Sequence, residues 1–370
     1  MTIAAQIFAA TPRQSALYNC ILLLAEEQSS VNFIVLADEA SDKPASLPKN
    51  IKWVIIKAAF KNRLRLHYWY NFTLPALLKK HGATHFVSET GALSLRITIP
   101  QFLLVNNTSF LLRRPVIPQP NDRYVKRWFP QFLNRAAGIF ITENFLGQTL
   151  SEKYPSAKEK TIYTGHGLER VFQPISWEAQ EQFLETFSNG TAYFVAEASP
   201  VTQANIFSLV KAFSLFKKRQ KSSMQLLLLL KGVTIEDCIK DFHLYKYRAD
   251  VKLVPFTTED AYATILAASY GTLYLPSQII ADNAALNALA AGSPLITFEN
   301  AAALNIYGDA ALYAGLSETS LAENMMRLYK DEALRKQLIE KGLRVCAGYT
   351  WHAASDVLWQ TITTAPAITG

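Results

Sequence analysis

Side chains able to grip phosphate come in two bursts along the first half of the chain. Lys57, Lys61, Arg63 and Arg65 form the first, and Arg113, Arg114, Arg123, Lys126 and Arg127, followed by Trp128 and Phe129, form the second. Residues 51 to 150 hold 14 Lys and Arg against 3 Asp and Glu, a local charge of +11 in a chain whose net charge is +7, so the remainder is acidic. Cations interleaved with large aromatics suit an anionic surface, a membrane leaflet or a phosphate-bearing substrate, or else form a merely solvated basic face. Nucleic acid is disfavoured as a partner, because no recognised binding motif accompanies the charge.

Other groups with chemical potential are scattered. His166 stands between Gly165 and Gly167, where the lack of Cβ atoms lets the backbone approach a ligand, or where it serves as a plain turn. His81 and His85 straddle a glycine and do not share a helix face, so no metal site is expected. Cys20, Cys238 and Cys346 are odd in number and far apart, which excludes a disulfide framework and favours a reducing compartment. Glu197, at a strand end, and Asp282-Asn283, in a loop, repel phosphate but can hold sugar hydroxyls. The second pair could instead cap a helix starting near Ala284, whose first amides could face an anion.

The elements that must position these groups alternate between apolar runs of strand length and amphipathic runs of helix length. That is the pattern of parallel sheets with crossover helices. In the first half, strands are predicted at 2–9, 32–37, 52–56, 85–88, 101–105, 138–142 and 160–163, with helices at 15–28, 66–80, 124–137 and 143–154. In the second, strands are predicted at 192–196, 225–230, 251–255, 271–275 and 294–298, with helices at 177–187, 203–219, 258–268, 284–291, 320–342 and 351–363. A chain of 370 residues that is 50% hydrophobic has apolar surface for two cores and is not disordered. The expected fold class is α/β, with two doubly wound, Rossmann-like domains joined near residue 175 and a ligand cleft at the strand carboxyl ends. Leu226 to Leu230 and Ile21 to Ala25 are far shorter than the roughly 20 residues of a membrane span. With no basic start typical of a signal peptide, the chain reads as cytoplasmic, its basic half able to lie against the inner face of the membrane.

Four segments carry a family resemblance. Ile162-Tyr-Thr-Gly-His-Gly-Leu-Glu-Arg-Val-Phe-Gln-Pro174 resembles an interdomain crossing motif, and Pro276-Ser277 ahead of Ala288-Leu-Ala-Ala-Gly-Ser-Pro294 resembles a donor-site strand and helix. Tyr307-Gly-Asp309 with Leu334 to Gly342 and Thr350-Trp351 is similar to a closing segment, and Pro100 to Phe110 to a strand and loop ending in His-Asp. The chain thus resembles GT-B glycosyltransferases of the retaining family 4 type. The resemblance implies an acceptor-side domain over 1–175, a donor-side domain over 176–350, and a terminal helix in 351–370 crossing back to the first domain.

Architecture and chemistry part company in the donor pocket. The Arg and Lys that clamp the donor diphosphate in the family fall at Ser199 and Ala204, and its two glutamates at Ile279 and Asn287. The His-Asp of the first domain reads Asn106-Asn107, and the glycine-rich first loop reads Ala9 to Ser15 without a glycine. By resemblance, the donor-binding candidates are Gly165, His166, Glu197, Ser199, Lys231, Gly232, Asp282, Asn283 and Asn287. Those of the acceptor side are Asn106, Asn107, Arg113 and Arg114. Lys231 could partly replace the lost clamp, or be a surface lysine. No side chain is singled out as catalytic, since retention in this family is attributed to front-face attack guided by the donor's own phosphate. The implied activity is sugar transfer from a nucleotide-sugar to a glycan or lipid-linked acceptor, without cofactor or metal. The alternative is a non-catalytic GT-B protein, a binding or partner module that kept the scaffold and lost the site.

Overall fold

The computed structural model describes residues 1–7, 15–38, 43–56, 62–116, 118–278 and 283–365. The chain divides into two units, Met1–Gly167 with Tyr349–Gly370, and Leu168–Gly348.

The first unit is built on seven strands: β1 (Thr2–Gln6), β2 (Asn32–Asp38), β3 (Ile51–Ile56), β4 (His85–Ser88), β5 (Gln101–Val105), β6 (Ala136–Ile141) and β7 (Thr161–Tyr163). They form one parallel sheet in the order β3-β2-β1-β4-β5-β6-β7. Its helices are α1 (Ala16–Glu27), α2 (Arg63–Tyr68), α3 (Leu74–Lys80), α4 (Asp122–Arg135) and α5 (Asn144–Lys153). Both faces of the sheet are covered, so β1 and β5 are buried along successive residues rather than at alternate ones. The strand order reverses at β1, and ligands of such sheets settle outside the carboxyl ends at that reversal. Those ends carry Gln6 and Glu89, both buried.

The second unit repeats the plan with six strands: β8 (Tyr193–Ala198), β9 (Gln225–Leu230), β10 (Val251–Pro255), β11 (Gly271–Tyr274), β12 (Leu295–Phe298) and β13 (Ala311–Ala314). All are parallel, in the order β10-β9-β8-β11-β12-β13, so the reversal falls at β8 and its end carries Glu197. The helices are α6 (Trp177–Ser188), α7 (Gln203–Gln220), α8 (Ile235–Cys238), α9 (Glu259–Ala268), α10 (Ala284–Ala290), α11 (Ala301–Tyr307), α12 (Glu318–Lys330) and α13 (Glu332–Cys346). Alternation along β8 feeds two cores: Phe194 and Ala196 join one, Tyr193 and Val195 the other.

Two predicted helices differ in detail. The stretch expected at 320–342 is two helices, broken where the Asp331 carboxylate accepts from the Leu334 amide as an N-cap. The one expected at 66–80 starts at Arg63 and passes through a π turn, Trp69–Thr73, between α2 and α3. Pro75 has no N–H for the Asn71 carbonyl, and a wider turn just ahead of it accommodates that loss.

The chain re-enters the first unit at Tyr349 and ends its described part in α14 (Trp351–Thr364). Ala354, Leu358 and Ile362 of α14 are at most 1% exposed and join Ile21, Leu24 and Phe33 in one core. Truncating a leucine so placed costs about 2 to 5 kcal/mol.

Candidate functional site

At the carboxyl edge of the first sheet, polar side chains form a relay. Glu89 follows β4 and accepts from the Ser15 hydroxyl, the Ala16 amide at 3.1 Å and Asn106 Nδ2 at 3.1 Å. Asn107 Nδ2 donates to Asn106 Oδ1 at 3.2 Å, and Asn107 Oδ1 accepts the Ser109 hydroxyl at 2.9 Å. That hydroxyl is also 2.7 Å from Asp122 Oδ1, while the Gln119 amide donates to Asp122 Oδ2 at 2.8 Å. Asn106 and Asn107 are half-buried and line a cavity of about 30 Å³, room for about one water. Two asparagines cannot act as the acid or base that a His-Asp pair supplies, but they can orient hydroxyls.

Beside this relay lies a cavity of about 500 Å³. Arg63 from the first basic burst and Arg113, Arg123 and Lys126 from the second line it together, with Asp122 as the acidic member of the lining. Arg114, predicted alongside Arg113, is exposed and does not line it. Lys57 and Lys61 lie outside the described residues.

In the crossing segment Gly165 takes a φ of +66°, which justifies a glycine there, and His166 is 5% exposed. Its Nδ1 lies 3.4 Å from Glu143 Oε1, and its ring centroid 5.0 Å from that of Tyr349. A Cβ on Gly167 would fall 2.3 Å from Trp351 Cγ, so this glycine serves packing against α14. Burial pushes the Glu143 carboxyl up to about 7. The Tyr163 phenol is raised by burial and then by Glu143.

In the second unit, Lys231 and Glu197 prove to be one feature. Lys231 Nζ lies 3.5 Å from Glu197 Oε2, over the rings of Phe256 at 5.0 Å and Tyr262 at 5.7 Å. The expected free cation therefore has a carboxylate partner, which offsets part of its pull on a diphosphate. Gly232 follows at a φ of +71°, with nothing within 4 Å of where a Cβ would stand. Ser199 is 5% exposed, and its amide donates to Thr202 Oγ1 at 3.0 Å in the tight turn before α7. Ala204 is exposed on the first turn of α7. Asn283 holds the N-cap position of α10 without a side-chain cap bond, so the capping alternative fails for it, and Asn287 is half-buried on the same helix. Asp282 and Ile279 lie outside the described residues.

Sequence reasoning missed Glu89, Asp122 and Glu143 as site residues. A signal existed, for they are the only three carboxylates in residues 51 to 150. Among the described residues no three His, Cys, Asp or Glu side chains cluster as metal ligands, and no described helix is long and apolar enough to cross a membrane.

No protein-family model matches the chain, and no curated protein matches it. Solved structures do. A sucrose-phosphate synthase from Thermosynechococcus elongatus superposes with a TM-score of 0.73 at 14% identity, over 99% of this chain and 100% of that one. HepE from Anabaena, solved in complex with UDP, gives 0.72 at 12% identity over 98% and 100%. WaaG, a glycosyltransferase involved in lipopolysaccharide biosynthesis, gives 0.69 at 13% identity over 98% and 100%. Seven and six parallel strands, each sheet wound on both faces, give this chain the GT-B architecture, the two-domain Rossmann-like α/β fold.

Proposed function

We propose that the chain is a glycosyltransferase that moves a sugar from a nucleotide-sugar to a glycan or lipid-linked acceptor, with retention of anomeric configuration. The observation that carries this reading is the placement of Glu197 and Lys231 at the reversal of the second sheet, in a fold shared end to end with a structure that holds UDP. In this role Glu197 accepts hydroxyl hydrogen bonds from the donor, and Lys231 supplies one charge toward its phosphates. Asn106 and Asn107 orient acceptor hydroxyls. Front-face attack guided by the donor phosphate requires no side-chain nucleophile, which fits the absence of an acid-base pair at positions 106 and 107.

Thermal melting against a panel of nucleoside diphosphates and their sugars tests it. A ligand at 100 times its Kd stabilises by about 2.7 kcal/mol, so one nucleotide should raise Tm clearly. If none does, the donor assignment falls. A second reading, a binding module without turnover, is favoured by Ser199, whose turn leaves no cation where a clamp would stand. Nucleotide binding without release of UDP from UDP-glucose would select it.

The same reading includes peripheral attachment to an anionic membrane. Leu64, Tyr68 and Phe72, spaced at four residues, are 82%, 62% and 44% exposed on one helical run, with Ile55 beside them at 54%. Leu64, Tyr68 and Ile55 border an apolar groove of about 640 Å³ that also includes Arg65, and Arg96 stacks over the Phe72 ring. An apolar stripe edged by cations matches an anionic leaflet in both chemistry and charge.

A further inference from the structure

The 500 Å³ cavity of the first unit gathers four cations. Arg63, Arg113, Arg123 and Lys126 are exposed, and none of the four has a carboxylate within ion-pair distance among the described residues. Two of the three carboxylates of residues 51 to 150 are engaged elsewhere. Glu89 is 6% exposed and holds Ser15, Ala16 and Asn106; Glu143 is 3% exposed beside His166. Asp122 borders the cavity but already accepts from Ser109 and Gln119.

We propose that this cavity binds the phosphate of a phosphorylated acceptor, either a sugar phosphate or the phosphate headgroup of a lipid. Its volume lies within the range of about 300 to 1,000 Å³ that small-molecule sites occupy. Two or more guanidinium groups provide the paired N–H donors that phosphate oxygens accept, which is a geometry lysines alone do not offer. The cavity shares Phe110, Gln119 and Asp122 with the small cavity at Asn106 and Asn107. A molecule whose phosphate lies among the arginines therefore has its hydroxyls within reach of the asparagine pair. The helix that contributes Arg63 to this cavity presents Leu64 and Tyr68 to the apolar groove, so a headgroup and its chains would also have adjoining places.

This inference deepens the acceptor side of the proposed transferase and rests on it. Its test measures binding of glucose 6-phosphate, glucose and UDP by calorimetry, and flotation with vesicles of phosphatidylcholine with or without phosphatidylglycerol. Each is measured on the full chain and on the double variant Arg113→Gln, Arg123→Gln; both positions are exposed, and a melting curve verifies the fold. Binding of glucose 6-phosphate but not glucose, weakened about tenfold or more in the variant with UDP unaffected, identifies a free sugar phosphate. Flotation that requires phosphatidylglycerol and is lost in the variant identifies a lipid headgroup. If neither ligand separates the variant from the native chain, or if UDP weakens in parallel, the proposal is overturned. Should UDP bind to neither protein while the phosphate ligand still distinguishes them, the donor reading falls and the phosphate site stands.

Discussion

Glu143 is 3% exposed beside His166, and burial lifts its carboxyl from an ordinary 4.5 to about 7. Between about pH 4.5 and pH 7 the unfolded chain gives up a proton that the folded chain retains, so stability falls as pH rises through that window. Glu143→Gln should flatten the Tm profile over this range and melt higher than the native chain at pH 7.5. A variant that melts lower there would show instead that Glu143 is ionised and held by His166. The donor turn separates two substitutions in the same way. Ala204→Lys adds a cation at an exposed position and should strengthen UDP binding about tenfold, equivalent to about 1.4 kcal/mol, at little cost in Tm. Ser199→Arg forces a guanidinium into a turn that is 5% exposed and should lower Tm by several degrees. Unchanged UDP affinity in Ala204→Lys would place the diphosphate elsewhere. At this scale residue identity was legible in the sequence and pairing was not. Nothing in the separation of Glu197 from Lys231 announces an ion pair, because the contact is created by β8 and β9 lying side by side.

The strands were the most legible elements; β4, β5, β9 and β10 lie at their predicted bounds, and β9, Gln225–Leu230, is a nearly unbroken apolar run. β13 and the seven-residue α11 were missed, the helix being too short to display a period. The helical run Arg63–Lys80 was legible from residue 66 on, except for its π turn, a consequence of one proline. That turn buries Trp69, Tyr70 and Asn71, while Tyr68 and Phe72 remain exposed on either side of them. The triple substitution Leu64→Ser, Tyr68→Ser, Phe72→Ser removes the apolar stripe and leaves the neighbouring cations in place. It should abolish binding to phosphatidylglycerol vesicles at 0.1 M salt, where exposed charges are screened over about 10 Å, and leave Tm within a few degrees. Full vesicle binding by the triple variant would refute the membrane reading of this stripe.

Doubly wound topology was legible for the molecule as a whole because strand and helix periods alternate twice over, but the packing of the crossing segment was not. Gly167 has no room for a side chain because Trp351, 184 positions later in the chain, occupies it. Gly167→Ala should therefore destabilise the first unit by about 1 to 3 kcal/mol, measured by denaturant unfolding. A neutral outcome would mean that the start of α14 yields easily. The return of α14 also sets a timetable for synthesis. The second unit, Leu168–Gly348, is continuous and can close as soon as it leaves the ribosome, whereas the first unit, whose strands emerge earlier, lacks Leu358 and Ile362 until the second has been made. At about 5 to 20 residues per second, the apolar bed that receives α14 stands open to water for roughly 10 to 40 s while the intervening unit is made. Of the two units, the one translated first is completed second, and over that interval it presents an apolar surface that a chaperone would have to shield.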